Sequence, residues 1–186
     1  MFAAAASARA ADKGDETFTF DPAQSHAEFS VRVIWLIPVH GRFDSVHGTI
    51  NIDRFRGTAR VEALIDSNEL HMRSKGDENW AKSAEFFDAQ HYPQIQFVSD
   101  AFSLERLKKG GDVAGVLTLR GITRPVHFEI SASECPEAAA RSCDAEAEGT
   151  IRRSEFGMRS RRGALSDKVD LSFSIRVQPP QQAATP

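Results

Sequence analysis

Three stretches of this chain alternate apolar and polar residues almost without a break, and that period of two decides what it can fold into. In HAEFSVRVIW (26–35), Ala27, Phe29, Val31, Val33 and Trp35 share one parity, while Glu28, Ser30 and Arg32 take the other. GTARVEALID (57–66) sets Ala59, Val61, Ala63 and Ile65 against Arg60, Glu62 and Asp66. VDLSFSIRV (169–177) sets Val169, Leu171, Phe173, Ile175 and Val177 against Asp170, Ser172, Ser174 and Arg176. Such a pattern belongs to half-buried strands that each present one apolar face. Further strands are expected at about 42–53, 94–105, 112–120, 124–133 and 146–154, with KKGGD (108–112) as a turn.

One segment breaks the pattern. DENWAKSAEFF spaces Trp80, Ala84 and Phe87 as a helix does, predicting a helical insertion over about 77–88. The chain is therefore all-β apart from that insertion. About eight antiparallel strands with one greasy face each must close on something, and a barrel does so without leaving an exposed edge. A chain of 186 residues suits one such domain. Its 13 Phe against 1 Tyr and 2 Trp imply a dry interior, because Phe carries no polar group to satisfy. The net charge of −3 argues against a nucleic-acid partner, which calls for a basic face.

The stretch SVRVIWLIPVHG (30–41) is apolar on both parities. It is far shorter than the roughly 20 residues of a bilayer-spanning helix. Val31, Val33 and Trp35 are expected to face inward. Ile34, Leu36 and Ile37, running into Pro38, should meet the barrel rim, a helical flap or a second subunit; the rival reading is a strand edge covered by the N-terminal arm.

The opening residues 1–16 read as a residual export signal, with an A-x-A-like site at Ala8-Arg9-Ala10, or as an Ala-rich flexible tail. Residues 179–186 continue a Pro- and Gln-rich tail with nothing to pack. Cys135 and Cys143 flank a short connection between strand-like segments, where a disulfide would staple a hairpin in an oxidising compartment. Two free thiols or a metal pair are the alternatives. A periplasmic or secreted location is expected.

No arrangement for catalysis stands out. The chain has no G-x-S-x-G elbow and no H-E-x-x-H, and His40 and His47 lie seven apart, on opposite faces of a strand. We read it as a non-enzyme that needs no cofactor or metal. IRRSEFGMRSRRG (151–163) gathers Arg152, Arg153, Arg159, Arg161 and Arg162 in an otherwise acidic chain. Arg159 and Arg161 are the candidates for seating an anionic head group. The cluster could also dock transiently on an anionic membrane surface, or be a solvated loop paired with Glu155, Asp167 or Asp170.

Four segments in the right order resemble the YceI-like polyisoprenoid-binding proteins. In FDPAQSHAEFSVRVIWLIPVHGRFDSVHG the matching positions are Asp21, Pro22, Ser25, Phe29, Val31, Gly41, Phe43 and Gly48. EFFDAQHYPQIQFVS contributes Phe86, Phe87, Asp88, Tyr92, Pro93, Phe97 and Ser99; GVLTLRGITRPVHFEI and RSEFGM follow. The resemblance spans roughly Phe18 to Val177, and the barrel domain is expected over 17–178. The resemblance implies a lipocalin-like barrel in an exported protein, a long isoprenoid or fatty chain held inside (a quinone tail or prenyl phosphate among the options), and a homodimer.

The candidate lumen lining is Phe29, Val31, Val33, Trp35, Ile50, Val61, Ala63, Trp80, Phe87, Phe97, Leu117, Phe128 and Phe173. Small residues at or near inward positions, namely Ala27, Gly48, Ala59, Ala63 and Gly115, would leave room beside the large rings. The same mixture could pack a solid core, so a secreted structural or interaction module is the alternative, and a barrel enzyme acting on a hydrophobic substrate is another. Three positions where the family commonly carries His are Gln24, Val33 and Asn79 here, and Trp35 replaces a small turn residue. The resemblance therefore extends to the barrel and the chain it holds, not to the head group.

Overall fold

The two-residue period is realised as antiparallel pairing throughout. The computed structural model describes residues 15–34, 36–135, 142–161 and 163–179. Most of the 1–16 leader, Trp35, Arg162, the middle of the Cys135–Cys143 connection and the tail beyond 179 lie outside the described residues. The strands are β1 (Asp15–Phe20), β2 (His26–Val33), β3 (Ile37–Phe43), β4 (Val46–Asp53), β5 (Thr58–Asp66) and β6 (Leu70–Met72). Helix α1 (Lys75–Lys82) follows, then β7 (Gln94–Ser99), β8 (Phe102–Ser103) and helix α2 (Leu104–Lys109). The chain ends with β9 (Gly111–Leu119), β10 (Ile122–Ile130), β11 (Cys143–Arg152) and β12 (Leu165–Gln178).

Eight strands form a closed ring in the order β1-β4-β5-β7-β9-β10-β11-β12, sealed where Thr19 and Phe20 of β1 pair with Gln178 and Val177 of β12. The architecture is the lipocalin-like barrel that the sequence pattern and the resemblance imply. The long β12 serves two neighbours in turn. Its residues 165–174 pair with β2 and its last two with β1. Likewise β3 pairs with β2 and β6, while β4 pairs with β1 and β5. The successive pairs β1/β2, β3/β4 and β5/β6 thus act as three interrupted long staves. They extend the wall beyond the ring at one end, where α1 lies.

Inward residues make one continuous core of Phe, Val, Ile and Leu. Two glycines show how the rings fit. A Cβ on Gly115 would come within 2.7 Å of the Phe97 ring, and one on Gly149 would strike the Phe128 ring. Each ring lies over a strand that has no side chain there, which is why small and large residues alternate across the sheet.

Several boundaries differ from the periodicity reading. The helix stops at Lys82 instead of running to about 88. Ser83 ends it by giving both its N–H (3.1 Å) and its Oγ (2.7 Å) to the Trp80 carbonyl, and Phe86 and Phe87 then sit in tight turns. Arg120, in the turn between the strands Gly111–Leu119 and Ile122–Ile130, holds those turns through the Ala84 and Phe86 carbonyls. The stretch 42–53 is broken at Asp44–Ser45, and 94–105 splits into β7, β8 and the start of α2. β1 begins at Asp15 inside the expected flexible leader, where Glu16 accepts two hydrogen bonds from Arg54 (3.0 and 2.7 Å).

Cys135 and Cys143 are joined by a disulfide, with their Cα atoms 5.8 Å apart across a sequence separation of 8. Closing so short a loop contributes at the low end of the usual range, about 2–3 kcal/mol. Cys143→Ser should therefore lower the melting temperature under oxidising conditions and leave no difference once wild type is reduced. Thermal melts with and without reductant decide it; coincident oxidised and reduced wild-type curves would refute it.

Candidate functional site

Period-two alternation aims Ala27, Phe29, Ala63, Ile65, Phe97, Leu117, Val169 and Phe173 at one another, and the barrel interior does not fill completely. Two narrow apolar chambers lie end to end. The upper one, about 60 Å³, has Phe29, Val31, Phe87 and Leu117 in its wall. The lower, about 100 Å³, has Ile50, Val61, Val113 and Phe128. Ala63, Phe97 and Phe173 line both and form the waist between them. The Phe128 ring stands edge-on to Phe97 and to Phe173 there, with centroids 5.0 and 5.1 Å away. Each chamber is smaller than the roughly 150 Å³ cavity that accepts one benzene. The passage thus suits a slender flexible chain and needs the waist rings to turn for it.

The two ends differ. Below, α2 closes the barrel with its buried Leu107, whose carbonyl accepts from the Ser133 N–H at 3.1 Å, and Ser131, Ser133 and Glu146 edge the lower chamber. Above, a vestibule of about 360 Å³ lies between the β2–β3 hairpin, α1 and the loop before β12. Phe29, Val31 and Phe86 belong to both vestibule and upper chamber, so these side chains separate the two spaces. At the vestibule the Arg161 guanidinium lies 4.6 Å over the Trp80 ring, which packs on Phe86 at 4.6 Å. The Trp80 Nε1 donates to Glu85 at 2.9 Å, fixing the indole in place.

α1 carries a buried carboxylate that faces His71 of β6, at 3.9 Å. Glu78 accepts from Lys75 and Lys82, each at 3.1 Å, and those bonds hold its pKa at about 2, well under the usual 4.5. A depressed pKa contributes stability that is complete above about pH 4.5 and is lost as pH falls toward 2. Between pH 6 and 2.5 wild type should therefore lose more melting temperature than Glu78→Gln. Parallel losses in the two proteins would argue against this anchor.

The sequence-derived lining is distributed along this axis. Phe29, Val31, Phe87 and Leu117 face the upper chamber, Ile50, Val61 and Phe128 the lower, and Ala63, Phe97 and Phe173 both. Val33 and Trp80 line the vestibule and neither chamber. Trp35 is outside the described residues. Of the arginines, Arg161 reaches the vestibule, whereas Arg159 is exposed and lines no part of it. Arg153 corrects the picture of one basic patch. It is 1% exposed, and it donates to the carbonyls of Met158, Ser160, Leu165 and Ser166 at 2.6–3.1 Å, shaping the loop that carries Arg161.

Of the altered histidine positions, Val33 faces the vestibule, Gln24 bonds Asp21 at 2.9 Å, and Asn79 is exposed on α1. None of the described residues covers Ile34, Leu36 and Ile37, which are exposed. Sequence reasoning did not place Phe43, Phe86, Ile95 and Met158 in the lining, although all four stood inside quoted motifs.

The description of a YceI-like domain matches residues 18–177. A UPF0312 protein of Pectobacterium atrosepticum is 30% identical over 184 residues, covering 94% of this chain and 90% of its own. Protein YceI of Escherichia coli is 31% identical over 187 residues, with the same coverage. Two solved structures share the fold. BcnA of Burkholderia cenocepacia gives a TM-score of 0.69 at 21% identity, over 86% of this chain and 99% of its own. A polyisoprenoid-binding domain from Saccharophagus degradans, implicated in plant cell wall breakdown, gives 0.63 at 16%, over 88% and 98%.

Proposed function

The chain belongs to the YceI-like domain family, and on that premise we propose that it is an exported protein that sequesters or carries a polyisoprenoid or similar long-chain lipid in its lumen. The observation that carries this reading is the pair of apolar chambers that share Ala63, Phe97 and Phe173, with a vestibule beyond Phe29, Val31 and Phe86. Their narrow bore favours an unbranched or methyl-branched chain over a fused-ring ligand, since a rigid plate cannot thread a waist that opens by side-chain rotation. Binding then comes from apolar burial, at roughly 25 cal/mol per Å². The disulfide supports an oxidising compartment.

A binding role is favoured over catalysis by the chamber lining, which is apolar side chains but for Glu28 above and Ser131, Ser133 and Glu146 below. Glu16, Asp53, Glu78, Glu105, Asp167 and Asp170 all have lowered pKa values, and none of these lines either chamber. They are held ionised by hydrogen bonds and cations outside the lumen, in which they take no part. Organic extraction of the purified protein, with mass spectrometry of the extract and of the intact complex, tests the reading. A co-purifying long-chain lipid, or uptake of added prenols, is expected. A protein that is empty and stays empty would refute it.

At the head-group end, Arg161 is the cation placed to meet an anion at the vestibule. Arg161→Ala should weaken a prenyl phosphate by roughly ten- to a hundred-fold, the worth of a charge-assisted hydrogen bond, and leave the neutral prenol unchanged. Arg159→Ala should change neither. Equal affinities of wild type for phosphorylated and neutral chains would end the head-group assignment.

A further inference from the structure

The β2–β3 hairpin ends in three aliphatic side chains turned to water, Ile34 at 61%, Leu36 at 83% and Ile37 at 59% exposure. Turn chemistry does not select them. Ile34 holds a φ of +49°, where a β-branched residue is an outlier and Gly or Asn is the ordinary occupant. Water does not select them either, for each adds apolar surface that folding leaves uncovered.

Their position is specific. The Ile34 N–H donates to the Ala164 carbonyl at 2.6 Å, and Val33 pairs with Leu165. The hairpin tip therefore stands against the loop before β12, which carries exposed Arg159 and Arg161 and no carboxylate between Phe156 and Leu165. The strands behind the tip form the vestibule wall through Val33 and Val39, and Asp77, on α1, is the one carboxylate among the described residues of the vestibule lining. Aliphatic side chains flanked by guanidinium groups thus sit at the same end of the barrel as the opening.

We propose that this tip and loop dock the mouth of the barrel onto an anionic lipid bilayer. Leu36, Ile34 and Ile37 enter the boundary between head groups and acyl chains, while Arg159 and Arg161 meet lipid phosphates beside them. A patch of three side chains is far too small for a stable protein interface, which buries on the order of 800 Å² on each partner. It is enough for a shallow, reversible hold on a bilayer, and the arginine stems suit a charged interface. A chain leaving the membrane at that point reaches the vestibule without crossing water. Only this last consequence rests on the lumen reading; the docking itself does not.

Vesicle flotation of the full chain tests the proposal, using phosphatidylcholine alone and phosphatidylcholine with about 30% phosphatidylglycerol, in low and high salt. Wild type should float with the anionic vesicles and not the neutral ones, and should be released by salt. Leu36→Ser combined with Ile37→Ser should cut partitioning about tenfold or more. Both positions are exposed, so the variant should keep the wild-type melting curve and its uptake of a cyclodextrin-delivered prenol. Arg159→Ala, as a second variant, should flatten the salt dependence. Absence of flotation, or equal flotation of wild type and the double variant, would overturn the docking. A wild-type dimer that becomes a monomer in the double variant, seen by light scattering, would overturn it in favour of a second copy. Intact flotation by a protein that takes up no prenol would uphold the docking while removing the lumen reading.

Discussion

Arg153→Met should remove about 3–5 kcal/mol of stability and loosen the loop that forms the barrel mouth. The guanidinium is 1% exposed and donates to four carbonyls between Met158 and Ser166. The Met158 and Ser160 carbonyls belong to a loop without a ladder of its own, with Gly157 at φ +79° and Arg161 at φ +51°, and those of Leu165 and Ser166 open β12. Without Arg153, buried acceptors lose their donors, and each such loss costs about 1–3 kcal/mol when no water reaches the site. A methionine keeps the volume beside Phe86, whose ring lies 5.8 Å from the guanidinium, so the loss reports the hydrogen bonds together with the charge that faces Asp167. Arg153→Lys tests the geometry, because an ammonium cannot span both sides of the loop and should recover only part of the loss. Urea unfolding gives the numbers. A methionine variant within about 1 kcal/mol of wild type would mean the loop holds itself.

That residue also marks where the sequence stopped being legible. Strands 26–33, 58–66 and 165–178 could be read because one face is greasy and the other is not, and burial follows the same alternation along most of their length. The small residues facing Phe97 were legible for the same reason, since parity alone puts Gly115 and Ala63 inside; Gly149, which lies under the Phe128 ring, was not among the small residues read as inward. Arg153 was not. It looked like one of five similar charges, and only the fold of residues 153–166 into a short 3₁₀ turn and a tight loop distinguishes it. Helix α1 was found but overrun, because Trp80, Ala84 and Phe87 keep helical spacing past the point where Ser83 turns the chain. α2 was missed because a six-residue helix is too short for its period to show, and its single buried contact, Leu107, is a tertiary fact. The exposed tip at Ile34, Leu36 and Ile37 was noticed as apolar. Sequence could not say whether anything in the same chain covers it.

The largest functional effect should come from Ala63→Trp. Ala63 faces both chambers from β5, opposite Phe97 in the register of β5 and β7. An indole there would occupy the waist, where the free space on either side is about 60 and 100 Å³. Overpacking of this kind costs about 1–3 kcal/mol, which a closed barrel with a continuous core should survive. Glu62→Trp provides the control, since Glu62 is the exposed neighbour on the same strand. The expected result is a fall of tenfold or more in retention of long prenols by Ala63→Trp and none by Glu62→Trp. Chain length gives the sharper test. If one ligand threads both chambers, wild-type affinity should rise with each added isoprene unit until the lower chamber is filled, because every buried carbon adds apolar contact. Ala63→Trp should follow the same rise for short prenols that fit the upper chamber and then stop improving. A variant that keeps the full length dependence would mean that the chain does not pass the waist and that the two chambers are voids in a packed core.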